Sequence, residues 1–251
     1  MMDSVSKQTL KAKEHIVIDG NSSDGTQKLL EEYQKRSSLR LVVSEPDSGP
    51  YDAMNKAIKL ASGEYIVFLN SDDFFNDSRG LEWCIDSLSK GKFDFAYAPT
   101  VRVSNSGSEI NGKRSLHQIL MCMPVVHQSL IFSRSALLKL KGFDLRFSIS
   151  ADYDLLLRAV AQGMRGCFLN RAFVTFCMGG MSSDQGRLLK DVGRVWHKNY
   201  RQFQEFSEAE YVKFSYSKKL PDSLLWKILV DYRTTALFRL SAAFYLLKRR
   251  F

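Results

Sequence analysis

Paired cysteines are missing from this sequence. Its four cysteines, Cys84, Cys122, Cys167 and Cys177, stand far apart, which excludes a zinc ribbon and offers no disulfide framework; a reducing compartment fits best. The N-terminus has no apolar run of the secretory kind. No uninterrupted stretch of membrane-spanning length exists either: Leu224 to Leu247 is broken by Lys227, Asp231, Arg233 and Arg239, each costly at bilayer depth. Internal repeats, low-complexity tracts and recognisable nucleic-acid modules are also lacking, so no nucleic-acid partner is expected. What is left is a soluble or peripheral chain, expected in the cytoplasm or on the inner face of the plasma membrane.

The composition itself is ordinary. With 251 residues, 45% hydrophobic and 25% charged, the chain can bury a substantial core and disorder is not the leading reading. The net charge of +9 is unevenly placed: residues 186–251 hold 14 Lys and Arg against 6 Asp and Glu. Such a basic end suits an anionic membrane surface or a phosphorylated substrate.

Periodicity predicts an α/β fold. His15 to Asp19 is a short β-branched run closed by Gly20, the pattern of a buried parallel strand. Helical spacing follows over Thr26 to Lys35, then a strand over Leu39 to Ser44, a helix over Asp52 to Leu60 and a strand over Tyr65 to Leu69. That alternation argues a doubly wound, mainly parallel sheet with flanking helices. Further strands are expected near Phe95 to Ala98, Ser129 to Ser133 and Ala172 to Phe176, with a helix from Asp152 to Gln162. Beyond Gly186 the chain turns helical, basic and aromatic. A domain over 1–185 and a helical extension over 186–251 are therefore expected. Ligands of doubly wound sheets sit beyond the strands' carboxyl ends, and the acidic clusters at Asp19 and Asp72 both fall there.

Three segments carry a family resemblance. Asp19-Gly-Asn-Ser-Ser-Asp-Gly-Thr26 resembles the D-G-x-S-x-D-G-T loop of inverting family 2 glycosyltransferases of the GT-A type. Ser44-Glu-Pro-Asp-Ser-Gly-Pro-Tyr-Asp-Ala-Met-Asn-Lys56 and Phe68-Leu-Asn-Ser-Asp-Asp73 are similar to two further motifs of that family, in the same order. Met178-Gly-Gly-Met-Ser182 and His127-Gln128 resemble its exopolysaccharide members, including those of colanic-acid-type synthesis. The resemblance implies a GT-A-like fold, a UDP- or GDP-sugar donor, a lipid-linked or polysaccharide acceptor, and Mn²⁺ or Mg²⁺.

It also implies roles. Asp19, Asp24, Asp47, Asn55, Asn70 and Asp73 would lie on the donor side, with Asp19 accepting a hydrogen bond from the base. Asp72 would be the metal ligand with Asp73 beside it, since hard divalent cations prefer carboxylate oxygens. A competing reading makes Ser71-Asp72-Asp73 a helix cap, and for Asp24 a turn-ordering role competes equally. Asn70 stands where many members have Asp, which removes one charge. Inverting transfer needs a carboxylate to take the acceptor's proton. Ser150-Ala-Asp-Tyr-Asp-Leu-Leu-Leu-Arg158 makes Asp152 that base, although Ala151 replaces a frequent Glu and a helix-dipole role competes. His127 and, in Gly142-Phe-Asp144, Asp144 would be acceptor-side contacts or structural groups.

Complete members begin with a further strand at the sheet centre, so unpaired backbone groups are expected beside residues 15–19. Leu224 to Phe251, ending in Lys248-Arg-Arg250, suits either an interfacial helix on an anionic leaflet or a helix packed on the domain. Two rivals remain: a nucleotidyltransferase, which lacks support from any Gly-rich phosphate loop, and a non-catalytic sugar-nucleotide-binding remnant or scaffold.

Overall fold

The chain was analysed as a computed structural model, which describes residues 1–36, 40–104, 107–111, 116–179, 184–231 and 233–248. The Met178–Ser182 motif is therefore described only through Gly179, and Arg249, Arg250 and Phe251 of the basic end lie outside the described residues.

The first half follows its hydrophobic pattern closely. After a short helix α1 (Met2–Ser6) come β1 (His15–Asp19), α2 (Thr26–Lys35), β2 (Arg40–Ser44), α3 (Pro50–Leu60) and β3 (Tyr65–Val67). Gly49 precedes α3 and Pro50 opens it, a position where the missing proline N–H costs nothing. Strands β1 and β2 run parallel, His15 opposite Arg40 and Asp19 opposite Ser44.

The middle is richer than its periodicity indicates. It holds β4 (Phe74–Phe75), α4 (Gly80–Leu88), β5 (Phe95–Tyr97), the hairpin β6 (Thr100–Ser104) and β7 (Gly107–Asn111), β8 (Leu130–Ser133), α5 (Arg134–Lys139), α6 (Ala151–Ala161), β9 (Gly166–Phe168) and β10 (Val174–Cys177). Two four-stranded sheets result, ordered β3-β8-β5-β9 and β4-β10-β6-β7. The α/β class holds, but parallel pairing does not dominate. β8 is antiparallel to both β3 and β5, and β10 is antiparallel to β4 while parallel to β6. Short strands joined by turns can reverse direction; only helical crossovers enforce parallel pairing.

The C-terminal helices α7 (Gln185–Tyr200), α8 (Glu208–Ser217), α9 (Asp222–Val230) and α10 (Ala236–Lys248) share the core of the rest. Trp196, Tyr200, Leu224, Ile228 and Phe238 are buried in one cluster with Tyr51, Phe132 and Leu156. Trp196 Nε1 donates to Tyr153 Oη at 2.9 Å, and Tyr153 in turn donates to the Ile119 carbonyl. Each large apolar side chain so buried contributes about 1.5–3 kcal/mol. The expected boundary near 186 thus coincides with the start of a helix and with no break in packing.

Strand β1 pairs with β2 on one edge, and β3 pairs with β8 on one edge. Among the described residues, neither has a strand partner on its other edge. A cavity of about 1730 Å³ is lined by His15 to Asp19 from β1 and by Tyr65 to Asn70 from β3 and its extension. Its walls include Ile16, Ile18, Ile66 and Phe68. An extended apolar segment fused ahead of Met1 is expected to pair there and raise Tm by about 4 °C, the shift that ~2 kcal/mol produces in a chain of this size. A Gly/Ser segment of equal length should leave Tm unchanged; equal shifts for both would rule out strand pairing.

Candidate active site

The donor-side candidates gather at the carboxyl end of β1. Asp19 closes that strand and is 7% exposed. Its Oδ1 accepts from the Ser22 hydroxyl at 2.5 Å, and Oδ2 accepts from the Ser44 hydroxyl at 2.6 Å and the Ser22 N–H at 3.1 Å. Burial pushes its pKa upward, but the bonds from Ser22 and Ser44 prevail and hold the carboxyl below its ordinary value. Ser44 is the residue opposite Asp19 in the β1–β2 ladder, so strand register places this partner. Asp24 accepts from the Thr26 hydroxyl and N–H at 2.6 and 3.1 Å, which orders the turn into α2. The Asp47 loop closes on the same strand end, its Oδ1 accepting from the Gly49 N–H at 2.9 Å. A Cβ added at Gly20 would stand only 2.9 Å from Asp47 Oδ2, so a larger residue there would push the Asp47 carboxylate aside. Asp19, Asp24, Asp47 and Asn70 all line the large cavity.

The two carboxylates after β3 part company. Asp72 is exposed. Asp73 is fully buried, its Oδ2 accepting from Gln128 Nε2 at 2.6 Å and its Oδ1 from the Cys177 N–H at 3.1 Å. Burial raises the Asp73 pKa, against the lowering by the Cys177 N–H and Gln128. Each Asp73 oxygen accepts one hydrogen bond that anchors its loop, whereas Asp72 beside it faces outward. Among the described residues no cluster of three or more His, Cys, Asp or Glu forms a ready-made cage. Hard divalent cations commonly take one or two protein carboxylates and complete their shell with substrate phosphates and water. Asp72, with the Asn70 amide two residues before it, fits a cation shared with a diphosphate.

Asp152 is the second residue of α6. Its Oδ1 accepts from the Tyr153 N–H at 2.8 Å, and its Oδ2 lies 3.6 Å from His127 Nδ1. His127 and Gln128 are neighbours on one 3₁₀ turn, His127–Ser129, so this dipeptide touches the Asp152 and Asp73 carboxylates at once. Tyr51, from α3, donates to the Ile149 carbonyl at 2.7 Å. Burial, and then the charge of Asp152, push the Tyr51 phenol well above the ordinary tyrosine value, which keeps it a proton donor. Three buried polar atoms here have no protein partner: His127 Nε2, Gln128 Oε1 and Ser150 Oγ.

The match to a family model decides what this arrangement belongs to: the model for "Glycosyl transferase family 2" covers residues 1–149. The chain belongs to glycosyl transferase family 2. Among curated relatives, a PGL/p-HBAD biosynthesis glycosyltransferase of Mycobacterium tuberculosis is 27% identical over 69% of this chain and 65% of its own length. An uncharacterized glycosyltransferase of the same species is 36% identical over 58% of this chain and 56% of its own. The chain thus spans less than two thirds of the length of these relatives. Staphylococcus aureus TarS 1–349, solved in complex with UDP-GlcNAc, superposes with a TM-score of 0.64 at 18% identity, covering 100% of this chain and 87% of that one. The mannosyltransferase PcManGT of Pyrobaculum calidifontis, solved with GDP-Man and Mn²⁺, gives 0.63 at 17%, covering 99% and 70%. These likenesses establish the GT-A-type fold.

Two expected site residues of this family 2 chain lie elsewhere. Asn55 grips the backbone of Phe143: its Oδ1 accepts from the Phe143 N–H at 2.8 Å and its Nδ2 donates to the carbonyl at 2.9 Å. Gly142, with φ +66, leaves no room for a Cβ beside Asn55 Oδ1. Both polar atoms of Asn55, expected on the donor side, bind this turn. Asp144 pairs with Arg146 Nη2 at 2.6 Å and Lys198 Nζ at 2.9 Å; Arg146 first, with help from Lys198, holds its carboxyl far below the usual range.

Tyr51 and Gln128 had no role of their own in the sequence reading, although both stand inside motif segments. The Tyr inside the Gly49-Pro50-Tyr51-Asp52 stretch was the available signal for the first, and the polar neighbour of His127 for the second. Asn55→Ala should cost about 2 kcal/mol by leaving buried backbone groups unsatisfied, measured by urea denaturation. Donor affinity should stay within twofold; a larger loss without loss of stability would restore a donor role.

Proposed function

We propose that this chain transfers a sugar, with inversion, from a nucleotide-diphosphate sugar to a surface-polysaccharide or lipid-linked acceptor. One observation carries the reading. The His127–Gln128 dipeptide ties the Asp152 carboxylate to the loop bearing Asp72, so a candidate base and a candidate diphosphate site share one rigid support. TarS and PcManGT, which bind UDP-GlcNAc and GDP-Man in their solved complexes, support a UDP- or GDP-sugar donor.

Asp19 accepts a hydrogen bond from the nucleotide base, and Asp47 and Asn70 flank the same cavity. Asp72, beside Asn70, holds Mn²⁺ or Mg²⁺, which would offset the charge of the departing diphosphate. Asp152 accepts the proton of the acceptor hydroxyl as its oxygen bonds to the anomeric carbon. The bond from that carbon to the diphosphate oxygen breaks on the opposite face, and the nucleoside diphosphate leaves with the electron pair. The unpartnered His127 Nε2, Gln128 Oε1 and Ser150 Oγ would gain hydrogen bonds from substrate hydroxyls.

The C-terminal hairpin supports attachment to an anionic membrane surface. One face of α9 and α10 is buried through Leu224, Leu225, Ile228, Phe238 and Ala242. The other exposes Trp226, Val230, Leu240, Phe244 and Leu247 among Lys227, Arg239 and Lys248. Apolar side chains flanked by cations are the composition of interfacial helices. No helix of the described residues is long and apolar enough to cross a membrane. In flotation with vesicles containing phosphatidylserine, Trp226→Ala/Leu240→Ser/Phe244→Ser should remain with the soluble fraction while the parent chain floats; equal flotation would remove the membrane role.

The transfer reading is tested by isothermal titration of UDP- and GDP-sugars with and without Mn²⁺, followed by donor hydrolysis. Binding is expected to need the metal and to weaken by about tenfold or more in Asp72→Ala, the size of effect seen when metal-site groups are lost. No binding by the folded parent chain would overturn the reading. Binding without turnover would instead favour a sugar-nucleotide-binding protein that does no chemistry.

A further inference from the structure

Asp191 lies on α7, outside the 1–149 segment that carries the family match, and is 4% exposed. Its Oδ2 accepts from the backbone N–H of Ile149 at 2.9 Å and of Ser150 at 3.0 Å. Its Oδ1 takes Arg194 Nη1 at 3.3 Å. Those two amides immediately precede α6, whose second residue is Asp152. From the other side, Tyr51 of α3 donates to the carbonyl of Ile149. The entry turn is therefore gripped on both faces, by a phenol from the first half of the chain and a carboxylate from the last third.

Ser150 occupies the N-cap position of α6 yet makes no capping bond, and its hydroxyl has no partner. Local sequence thus leaves the start of this helix loose. A side chain from another helix does the fixing instead. The bodies of α6 and α7 are joined separately: buried Asp154 accepts from Lys198 Nζ at 2.7 Å and Asn199 Nδ2 at 3.0 Å, and Trp196 donates to Tyr153. Asp191 takes no part in those bonds; apart from Arg194 on its own helix, its partners are the two amides of the turn.

We propose that Asp191 is a positioning residue for Asp152: it sets the rotation of the first turn of α6 so that Asp152 Oδ2 meets His127 Nδ1. The inference rests on Asp152 being the base. Displacing a catalytic group by about 1 Å costs on the order of 10²-fold in rate, while Asp19 is held by Ser22 and Ser44 and makes no bond to that turn, so donor binding should persist.

The experiment compares Asp191→Ala, Asp191→Asn, Asn199→Ala and Asp152→Asn in the full chain. Donor affinity is measured by titration, turnover by hydrolysis of the UDP- or GDP-sugar that binds, and backbone protection by hydrogen exchange. Asp191→Ala should lower kcat by roughly 30- to 100-fold with donor Kd within twofold, and lose exchange protection at 149–152 while 195–200 stay protected. Asp191→Asn, which keeps an oxygen for the two amides, should recover most of kcat and carries the test if the alanine variant does not fold. Asn199→Ala should lower Tm with kcat within threefold. If Asn199→Ala costs as much turnover as Asp191→Ala, the effect is general packing and the positioning role fails. If Asp152→Asn retains full turnover, the base assignment fails first; if it abolishes turnover while Asp191→Ala does not, only the positioning role is lost.

Discussion

A carboxylate removed from water must recover in hydrogen bonds what it loses in hydration, and this chain meets that demand three times around one junction. Asp73, Asp154 and Asp191 are 0%, 0% and 4% exposed. Asp73 binds Gln128 and the Cys177 amide, which draws the loop after β3 to the 3₁₀ turn and the end of β10. Asp154 gathers Arg158, Lys198 and Asn199. Asp191 takes the two amides before α6. Breaking any of these leaves an uncompensated charge in a dry interior, so the loops they join have little freedom to drift. The geometry around Asp152 and Asp72 is inherited from that constraint.

The placement of the groups also divides labour. Candidate nucleotide contacts line the cavity between β1 and β3, whereas Asp152 and His127 sit on segments that the cavity does not reach. Family 2 membership rests on residues 1–149, yet the base candidate at 152 and the groups that orient it at 191 fall beyond that span. The C-terminal helices share one core with the segment that carries the family match, and their exposed face is what remains available for a surface.

Much of the fold was legible from periodicity. The strands at 15–19 and 40–44 and the helices at 26–35 and 50–60 have bounds within two residues of those their apolar spacing indicates, because buried β-branched runs and amphipathic helices write themselves into sequence directly. The hairpin was not read from the sequence: in Thr100-Val-Arg-Val-Ser104 only Val101 and Val103 alternate, and the partner residues 107–110 are exposed. Strand direction was equally hidden, since pairing depends on how turns reverse. In the candidate site, motif resemblance named Asp19, Asp72 and Asp152, but it could not tell an outward carboxylate from an inward one. Asp72 and Asp73 are adjacent and chemically identical; only the turn they stand on and the partners Gln128 and Cys177 separate their fates. Nor could spacing show that Asn55, a motif amide, holds the backbone of a turn nearly ninety residues away.

The 3₁₀ turn His127–Ser129 has a consequence for how such a chain can diversify. Two consecutive side chains on it reach two carboxylates from different loops, so the spacing between those carboxylates is set by the width of a single dipeptide. It works as a ruler. Loops around the rim can lengthen, shorten or change composition while the distance between Asp73 and Asp152 stays tied to this one turn.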